Sequence, residues 1–161
     1  MVVNKKELNE LYQSINSYAI EISTKLQKLG YKNNIQFCNI NYELVEGKWS
    51  CNYFPIPVIE LDKIDLNLDM FDKPNYFEFF LKGKQLNQFD FQQLLQKFKK
   101  RNLAIYDGTD CLIDYYTAGM TAKELQEKIK TLKAKSIGIS FETKKDIKQI
   151  VKDLTILKEL L

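Results

Sequence analysis

The amino-acid sequence predicts an α+β fold in which helices pack against a largely antiparallel sheet. Apolar residues recur every three or four positions in some segments and every second position in others, which is typical of amphipathic helices and of strands. The strand segments come in runs with helices between the runs, which favours antiparallel pairing. The chain has 161 residues, 45% of them hydrophobic and 28% charged. This composition predicts one globular domain over residues 1–161.

The first predicted element is a long amphipathic helix that ends at Gly30. Asn4 and Glu7 have the spacing of a capping box, which marks a helix start. Gly30 suits the left-handed conformation that commonly follows the last helical turn. Between these two signals the apolar residues recur at helical steps: Leu8, Leu11, Tyr12, Ile15, Tyr18, Ala19, Ile22, Leu26 and Leu29.

A strand hairpin is predicted next. Residues 35–44 alternate between two faces, Glu46-Gly47 forms a turn, and a partner strand follows it. In this hairpin the numbers of two facing residues sum to 93. Cys38 and Cys51 therefore do not face each other.

Two further strands complete this run. One is expected over residues 58–70 with an interruption near Asp62-Lys63, and the other over residues 76–81. The second is apolar on both faces apart from Glu78. Such a strand is typically covered on two sides, or covered on one side and used for association on the other.

The second half of the chain is predicted to hold three helices. Their starts are marked by three residue pairs at capping distance: Asp90 with Gln93, Thr121 with Glu124, and Thr143 with Asp146. A hairpin around Asp107-Gly108 and a strand over residues 136–141 separate these helices. Four cations are expected in the last turn of the first of them, where they complement the helix dipole: Lys97, Lys99, Lys100 and Arg101.

The predicted element order is α-β-β-β-β-α-β-β-α-β-α. This succession is similar to the fold of class I secretion chaperones and their non-secretion relatives. The resemblance is one of element order over most of the chain, without a shared sequence motif, and a shared fold does not determine function. Those chaperones are commonly acidic, whereas this chain carries a formal net charge of +3.

The absence of histidine excludes several reaction classes. Without imidazole there is no Ser-His or Cys-His nucleophile pair, no histidine-ligated metal and no general base of the usual near-neutral kind. The six glycines stand singly, so the sequence contains neither a dinucleotide-binding fingerprint nor a P-loop. No catalytic residue and no cofactor is predicted, and an enzyme based on carboxylates or tyrosines is the less favoured alternative.

Metal binding is not predicted either. Asp65, Asn67 and Asp69 match the first ligand positions of a calcium loop, but Met70 stands where that loop requires glycine and Tyr76 where it requires glutamate. Apolar residues alternate with these acids, so a solvated strand face is the preferred interpretation. The three widely spaced cysteines, Cys38, Cys51 and Cys111, indicate neither a disulfide framework nor a zinc site.

Charge and targeting signals favour a cytoplasmic protein without a specific nucleic-acid partner. Residues 1–81 hold 8 basic and 11 acidic side chains, whereas residues 82–161 hold 16 basic and 10 acidic ones. Arg101 is the only arginine, and phosphates and base edges are usually read by guanidinium groups. The many lysines are typical of an AT-rich genome. No membrane-spanning run and no secretory signal is recognised.

A ligand-lining loop is predicted between residues 107 and 121. This segment joins a strand to a helix start, where tyrosine hydroxyls, a glycine and free backbone amides could bind a small molecule or an anion. The candidate ligand-binding residues are Asp107, Asp114, Tyr116 and Thr121. The alternative is an ordinary strand end followed by a capped helix, which is the commoner arrangement.

A protein interface is predicted on the aromatic strand. Its candidate residues are Tyr76, Phe77, Phe79 and Phe80. The residue types by themselves favour ordinary core over such an interface or a pocket lining, because aromatic residues are favoured in sheets. The sequence as a whole favours a small cytoplasmic, non-enzymatic protein-binding domain, adaptor-like or chaperone-like, that binds a protein partner or a second copy of itself. The second hypothesis is a small-molecule site near residues 107–121.

Overall fold

The computed structural model describes residues 2–3, 5–37, 43–45, 48–50, 57–68, 74–99, 101–108, 112–115 and 120–161. The chain divides into two compact units, residues 1–73 and residues 74–161. Each unit combines helix with antiparallel strands, which confirms the α+β class. That residues 1–161 form one domain stays a prediction. No described helix has the length and apolarity that a membrane span requires.

The first unit contains one long helix, α1 (Lys5–Lys28). It ends as predicted, because Gly30 adopts a φ of +87°. The amides of Gly30 and Tyr31 donate to the carbonyls of Gln27 and Leu26 at 2.9 and 3.0 Å, which satisfies two carbonyls of the last turn. Four apolar side chains on one face are buried, as the helical spacing predicts: Ile15, Ala19, Ile22 and Leu26.

Six described strands accompany this helix: β1 (Val2–Val3), β2 (Asn34–Gln36), β3 (Glu43–Val45), β4 (Lys48–Ser50), β5 (Val58–Leu61) and β6 (Ile64–Asn67). They form two antiparallel sheets. One has the order β1-β4-β3 and the other places β5 between β2 and β6. The β3–β4 pairs have residue numbers that sum to 93, as predicted from the turn between them.

Two strand predictions in this unit need correction. The single strand expected over residues 35–44 is wrong, because β2 pairs with β5 whereas β3 pairs with β4. The segment from residue 58 onward is a hairpin, and Asp62-Lys63 is its two-residue turn. Asp62 has a φ of +62°, which is the conformation that a tight hairpin turn requires and a continuous strand excludes.

The second unit contains four strands and four helices among its described residues. They are β7 (Asn75–Lys82), α2 (Gly83–Gln88), α3 (Phe91–Lys97), β8 (Leu103–Asp107), β9 (Leu112–Tyr115), α4 (Ala122–Leu132), β10 (Ser136–Thr143) and α5 (Ile147–Leu160). The strands pair antiparallel in the order β7-β10-β8-β9. The hairpin predicted around Asp107-Gly108 is confirmed as β8 and β9.

Helix starts in this unit follow their capping residues. Asp90 accepts a hydrogen bond from the Gln93 amide at 3.0 Å and caps α3. Thr121 and Glu124 form the predicted capping box at the start of α4. The pairing of Thr143 with Asp146 is wrong, because Asp146 alone caps α5. Helix α2 was not expected, since its polar sequence lacks an apolar period.

Thr143 instead takes part in a buried ion pair. Its hydroxyl donates to Asp153 Oδ2 at 2.6 Å, and Arg101 donates to both oxygens of that carboxylate at 2.8 and 3.0 Å. Gln149 Nε2 donates to Oδ1 at 2.7 Å, and Arg101 also reaches the Glu142 carbonyl. The expectation that Arg101 complements the α3 dipole is therefore wrong, whereas Lys97 does lie in the last turn of that helix.

Several predicted features lie outside the described residues. They are the helix cap Asn4, the turn Glu46-Gly47, the three cysteines and the candidate ligand residue Tyr116.

Candidate functional site

Among the described residues, the sheet of the second unit has one buried face and one face that is mostly half-buried or exposed. Alternate residues along its strands are fully buried: Phe77, Phe79, Leu81, Leu103, Ile105, Ile137, Ile139 and Phe141. The helices pack on this side. Phe98, just after α3, stacks on Phe141 with ring centroids 4.2 Å apart, and Phe89 lies 6.0 Å from Phe79.

The opposite face of β7, β10 and β8 is here called the outer face. It consists of the alternate residues Tyr76, Glu78, Phe80, Lys82, Ser136, Gly138, Ser140, Glu142, Ala104 and Tyr106. Gly138, which lies beneath the Tyr106 ring, is buried, and the other nine residues are half-buried or exposed. An antiparallel sheet that is packed on one side only is stable with its other face in solvent, provided that this face is mostly polar. This face is mixed, because five of its ten residues are glutamate, lysine or serine and three carry aromatic rings.

The centre of the outer face is a row of three residues across the strands, here called the central row. Gly138 on β10 is flanked by Phe80 on β7 and by Tyr106 on β8. The Tyr106 ring lies across Gly138, and any Cβ at that position would overlap the ring. The Phe80 and Tyr106 rings meet edge to face, 6.0 Å apart at 84°. Since glycine contributes no side chain, the two rings close over the middle strand.

Glu78 fixes the position of the Tyr106 ring. The tyrosine hydroxyl donates a hydrogen bond to the Glu78 carboxylate, which lies on the same face of β7. Tyr106 is thus held at its tip by Glu78 and along its edge by Phe80. Phe80 itself is 42% exposed. An exposed phenylalanine beside a fixed tyrosine is a contiguous apolar surface rather than a single scattered side chain.

The four predicted interface residues are divided between the two faces. Phe77 and Phe79 are 0% and 1% exposed and belong to the core. Tyr76 and Phe80 lie on the outer face, where Tyr76 is half-buried. Strand alternation accounts for the division, since residues 77 and 79 point to one side and residues 76 and 80 to the other. The interface itself stays a prediction.

The predicted ligand residues do not form one cluster among the described side chains. Asp107 ends β8 opposite Ile137, and Asp114 lies on β9 opposite Ile105. Thr121 caps α4 and lines a cleft of about 430 Å³ whose described lining does not include Asp107. That lining consists of Gln92, Leu95, Gln96, Lys99, Thr121, Ala122 and Lys123.

The electrostatics of this cleft are set by the capping box. The Thr121 amide donates to Glu124 Oε2 at 2.7 Å, and the Glu124 amide donates to the Thr121 hydroxyl at 3.2 Å. The Thr121 backbone and side-chain hydrogen bonds lower the pKa of Glu124, with a smaller contribution from Lys128. A carboxylate therefore already lies at the helix start, where the dipole favours negative charge.

An acidic depression lies in the first unit. It has a volume of about 620 Å³ and is lined by Lys32, Asn33, Asn34, Glu60, Asp62 and Asp65. Asn34 and Gln36 both donate to the Glu60 carboxylate across the β2–β5 pair. Of the calcium-like triplet, Asp65 lines this depression and Asn67 is buried on β6, whereas Asp69 lies outside the described residues. Residues 64–67 form a strand, as predicted, but the expectation that its polar residues face solvent is wrong for Asn67, which is 6% exposed.

A solved structure is similar to this chain over nearly its whole length. It is a conserved hypothetical protein from Pyrococcus furiosus, with a TM-score of 0.65 and 17% sequence identity over 96% of this chain and 95% of that one. The similarity shows a shared fold. Neither the known family models nor the curated proteins contain a match to this sequence.

The two residues that organise the outer face could not be connected from the sequence. Tyr106 precedes the predicted Asp107-Gly108 turn, and Gly138 lies in the strand predicted over residues 136–141. A single glycine inside a strand pattern is a known signal of a close approach by another group. That signal was present at Gly138, and the approaching group is the Tyr106 ring.

Proposed function

We propose that this chain is a cytoplasmic, non-enzymatic protein-binding domain and that the outer face is its contact surface. The observation that carries the proposal is the exposed Phe80 ring, packed edge to face on Tyr106. Aromatic residues are enriched at the centres of protein interfaces, where they supply much of the binding energy. Burying the exposed part of a phenylalanine contributes about 1 kcal/mol of apolar transfer free energy.

The arrangement of charges supports a protein as the ligand. The polar residues Glu78, Lys82 and Glu142 lie around the aromatic centre. An apolar centre with a polar rim is the usual composition of a protein interface. Small molecules are usually bound in concave sites, whereas this surface is a sheet face whose middle residue is glycine.

A photo-crosslinking experiment tests the proposal. A benzophenone amino acid replaces Phe80 in one variant and the exposed Lys148 of α5 in a matched control, and each protein is irradiated in cells of the organism that encodes it. We expect one discrete adduct at position 80, identified by mass spectrometry as a defined protein, and none at position 148. The same weak, diffuse adducts at both positions would contradict a binding role for the outer face.

A small-molecule site is the second candidate function. The cleft beside α4 favours it, since Lys99, Lys123 and Thr121 all line that space. Because Glu124 already occupies the helix start, an anionic ligand would be held by the two lysines rather than by the helix dipole. Calorimetric titration with inorganic phosphate tests this candidate. A site for anions here requires saturable phosphate binding that Lys99→Glu and Lys123→Glu each weaken. Equal heats of titration for the unchanged protein and the two variants would contradict such a site.

A further inference from the structure

We propose that the partner of the outer face is a second copy of this chain, packed face to face around a two-fold axis that runs along the central row. This inference rests on the proposed function and names the partner of the same surface. The axis crosses β7, β10 and β8 at Phe80, Gly138 and Tyr106. Homodimers with such an axis present the same surface on both copies, so the surface must be complementary to itself.

The strand register determines which residues face each other. A two-fold axis along the central row places each strand over its own copy with the direction reversed. A residue two positions before the row then faces the residue two positions after it. On β7 this places Glu78 over Lys82 of the partner subunit, and the symmetry repeats the pair on the other side of the axis.

The other strands obey the same rule without conflict. On β10, Ser140 faces Ser136 of the partner subunit, so two hydroxyls can hydrogen-bond. Gly108 follows β8 and lies beside Ser136, so Ala104 of β8 faces Gly108 of the partner subunit, and both residues are small. No pair within two positions of the axis brings like charges together. On the axis, Phe80 meets Phe80 of the partner subunit, which buries the exposed ring.

The geometry of sheet packing is compatible with this arrangement. Two sheets that pack face to face are about 10 Å apart and are rotated by about 30°. Gly138 has no side chain above the middle strand, and the Tyr106 ring occupies the position that such a side chain would take. The Phe80 and Tyr106 rings of each copy therefore lie at a similar height above the sheet, and the rings of the two copies can contact each other in the middle of the interface.

The size of the outer face predicts a weak dimer. β10 has eight residues, so three strands cover roughly 25 Å by 15 Å at normal strand rise and spacing. This is less than half of the ~800 Å² per partner in a standard interface. We therefore expect a concentration-dependent equilibrium with a Kd in the range of about 10 μM to 1 mM.

Charge reversal on β7 tests the symmetry directly. Sedimentation velocity of the full chain is measured over a dilution series for the unchanged protein, Glu78→Lys, Lys82→Glu and the double variant. Each single reversal places like charges opposite each other twice in the dimer, so we expect Kd to rise about tenfold. The double variant exchanges the charges and restores Kd to within about threefold.

A mixture of the two single variants provides the sharpest result. One copy then presents two cations and the other two carboxylates, so the mixed dimer is expected to form at least about tenfold more tightly than either variant alone. The matched control is Lys148→Glu on α5, which should leave Kd unchanged. Circular dichroism confirms that each variant is folded. Lys82 is exposed, so Lys82→Glu retains the test if Glu78→Lys disturbs Tyr106 and fails to fold.

Two results would overturn the inference. One is a chain that stays monomeric up to about 1 mM, and the other is a dimer whose Kd is the same in all variants, which would place the contact elsewhere. The photo-crosslinking experiment separates these failures from that of the proposed function. A monomer that forms an adduct with a different protein at position 80 retains the binding role and rejects the second copy, whereas no adduct at all rejects both.

Discussion

At the scale of single residues, Arg101 is the only arginine of the chain and holds a buried carboxylate. Asp153 is 1% exposed, and the Arg101 side chain is 25% exposed. The planar guanidinium reaches both carboxylate oxygens at once, which an ammonium group cannot do. Thr143 and Gln149 complete the hydrogen bonds of the same carboxylate. The pair connects the start of β8, the end of β10 and helix α5.

Removal of one partner of this pair should be strongly destabilising. Asp153→Ala leaves the Arg101 guanidinium without its carboxylate, and we expect the free energy of unfolding to fall by about 3 kcal/mol. Arg101→Lys keeps the charge but loses the second hydrogen bond, and a loss of about 1–2 kcal/mol is expected. Urea unfolding followed by circular dichroism measures both. The control Lys97→Ala should change the free energy of unfolding by at most about 0.5 kcal/mol. Equal losses for Lys97→Ala and Arg101→Lys would contradict the role of the two hydrogen bonds from the guanidinium to Asp153.

The capping box makes the start of α4 sensitive to acid. The folded-state pKa of Glu124 lies below that of an unfolded glutamate, which is about 4.3. Its contribution to stability is therefore complete above that unfolded value and is lost as the pH falls through the lower folded value. Carboxyl NMR titration should show a lowered pKa for Glu124 in the unchanged protein and a higher one in Thr121→Val. An identical titration in both proteins would contradict the role of the Thr121 hydroxyl.

At the scale of elements, the outer face depends on one glycine. In Gly138→Ala, the added methyl group displaces the Tyr106 ring and breaks its contacts with Phe80 and Glu78. We expect a loss of about 1–3 kcal/mol in the free energy of unfolding. Tyr106→Ala should then cost less in the Gly138→Ala background than in the unchanged protein, because the two residues are coupled. Denaturant unfolding of the unchanged protein, the two single variants and the double variant measures this coupling. Strictly additive losses in the free energy of unfolding would contradict the contact between the Tyr106 ring and Gly138.

Elements that depend on neighbouring residues could be predicted from the sequence. The capping box of α4, the Asp90 cap of α3 and the end of α1 at Gly30 each involve residues within five positions of one another. The β3–β4 register follows from the position of a tight turn in the same way. Local hydrogen bonds and backbone preferences decide such features, and both can be recognised in the sequence.

Contacts between distant residues could not be predicted. Arg101 and Asp153 are 52 positions apart, and Tyr106 and Gly138 are brought together only when β10 pairs with β8. The sequence shows that residues 76 and 80 share one strand face, but it does not show which face the helices cover. For the same reason, the four residues of the predicted interface could not be divided into core and surface before the helices were placed.

At the scale of the whole molecule, the basic second half should attract nucleic acid only weakly. Its cations are almost all lysines, and they give a salt-sensitive attraction to phosphates without recognition of base edges. Fluorescence anisotropy with a labelled duplex should detect binding at about 20 mM salt and none at about 150 mM, equally for unrelated sequences. A complex that selects one sequence and survives the higher salt would contradict this prediction.

The position of β10 determines when the sheet of the second unit can form during synthesis. β10 occupies residues 136–143, yet it pairs with both β7 and β8, which precede it by tens of residues. Before β10 leaves the ribosome, the edges of β7 and β8 that later pair with it expose backbone N–H and C=O groups without a strand partner. Such open edges beside the aromatic side chains of β7 are prone to pair with other nascent chains. The unit is therefore most exposed to aggregation just before its last segment emerges, and slow translation of residues 108–135 should lower the yield of folded protein.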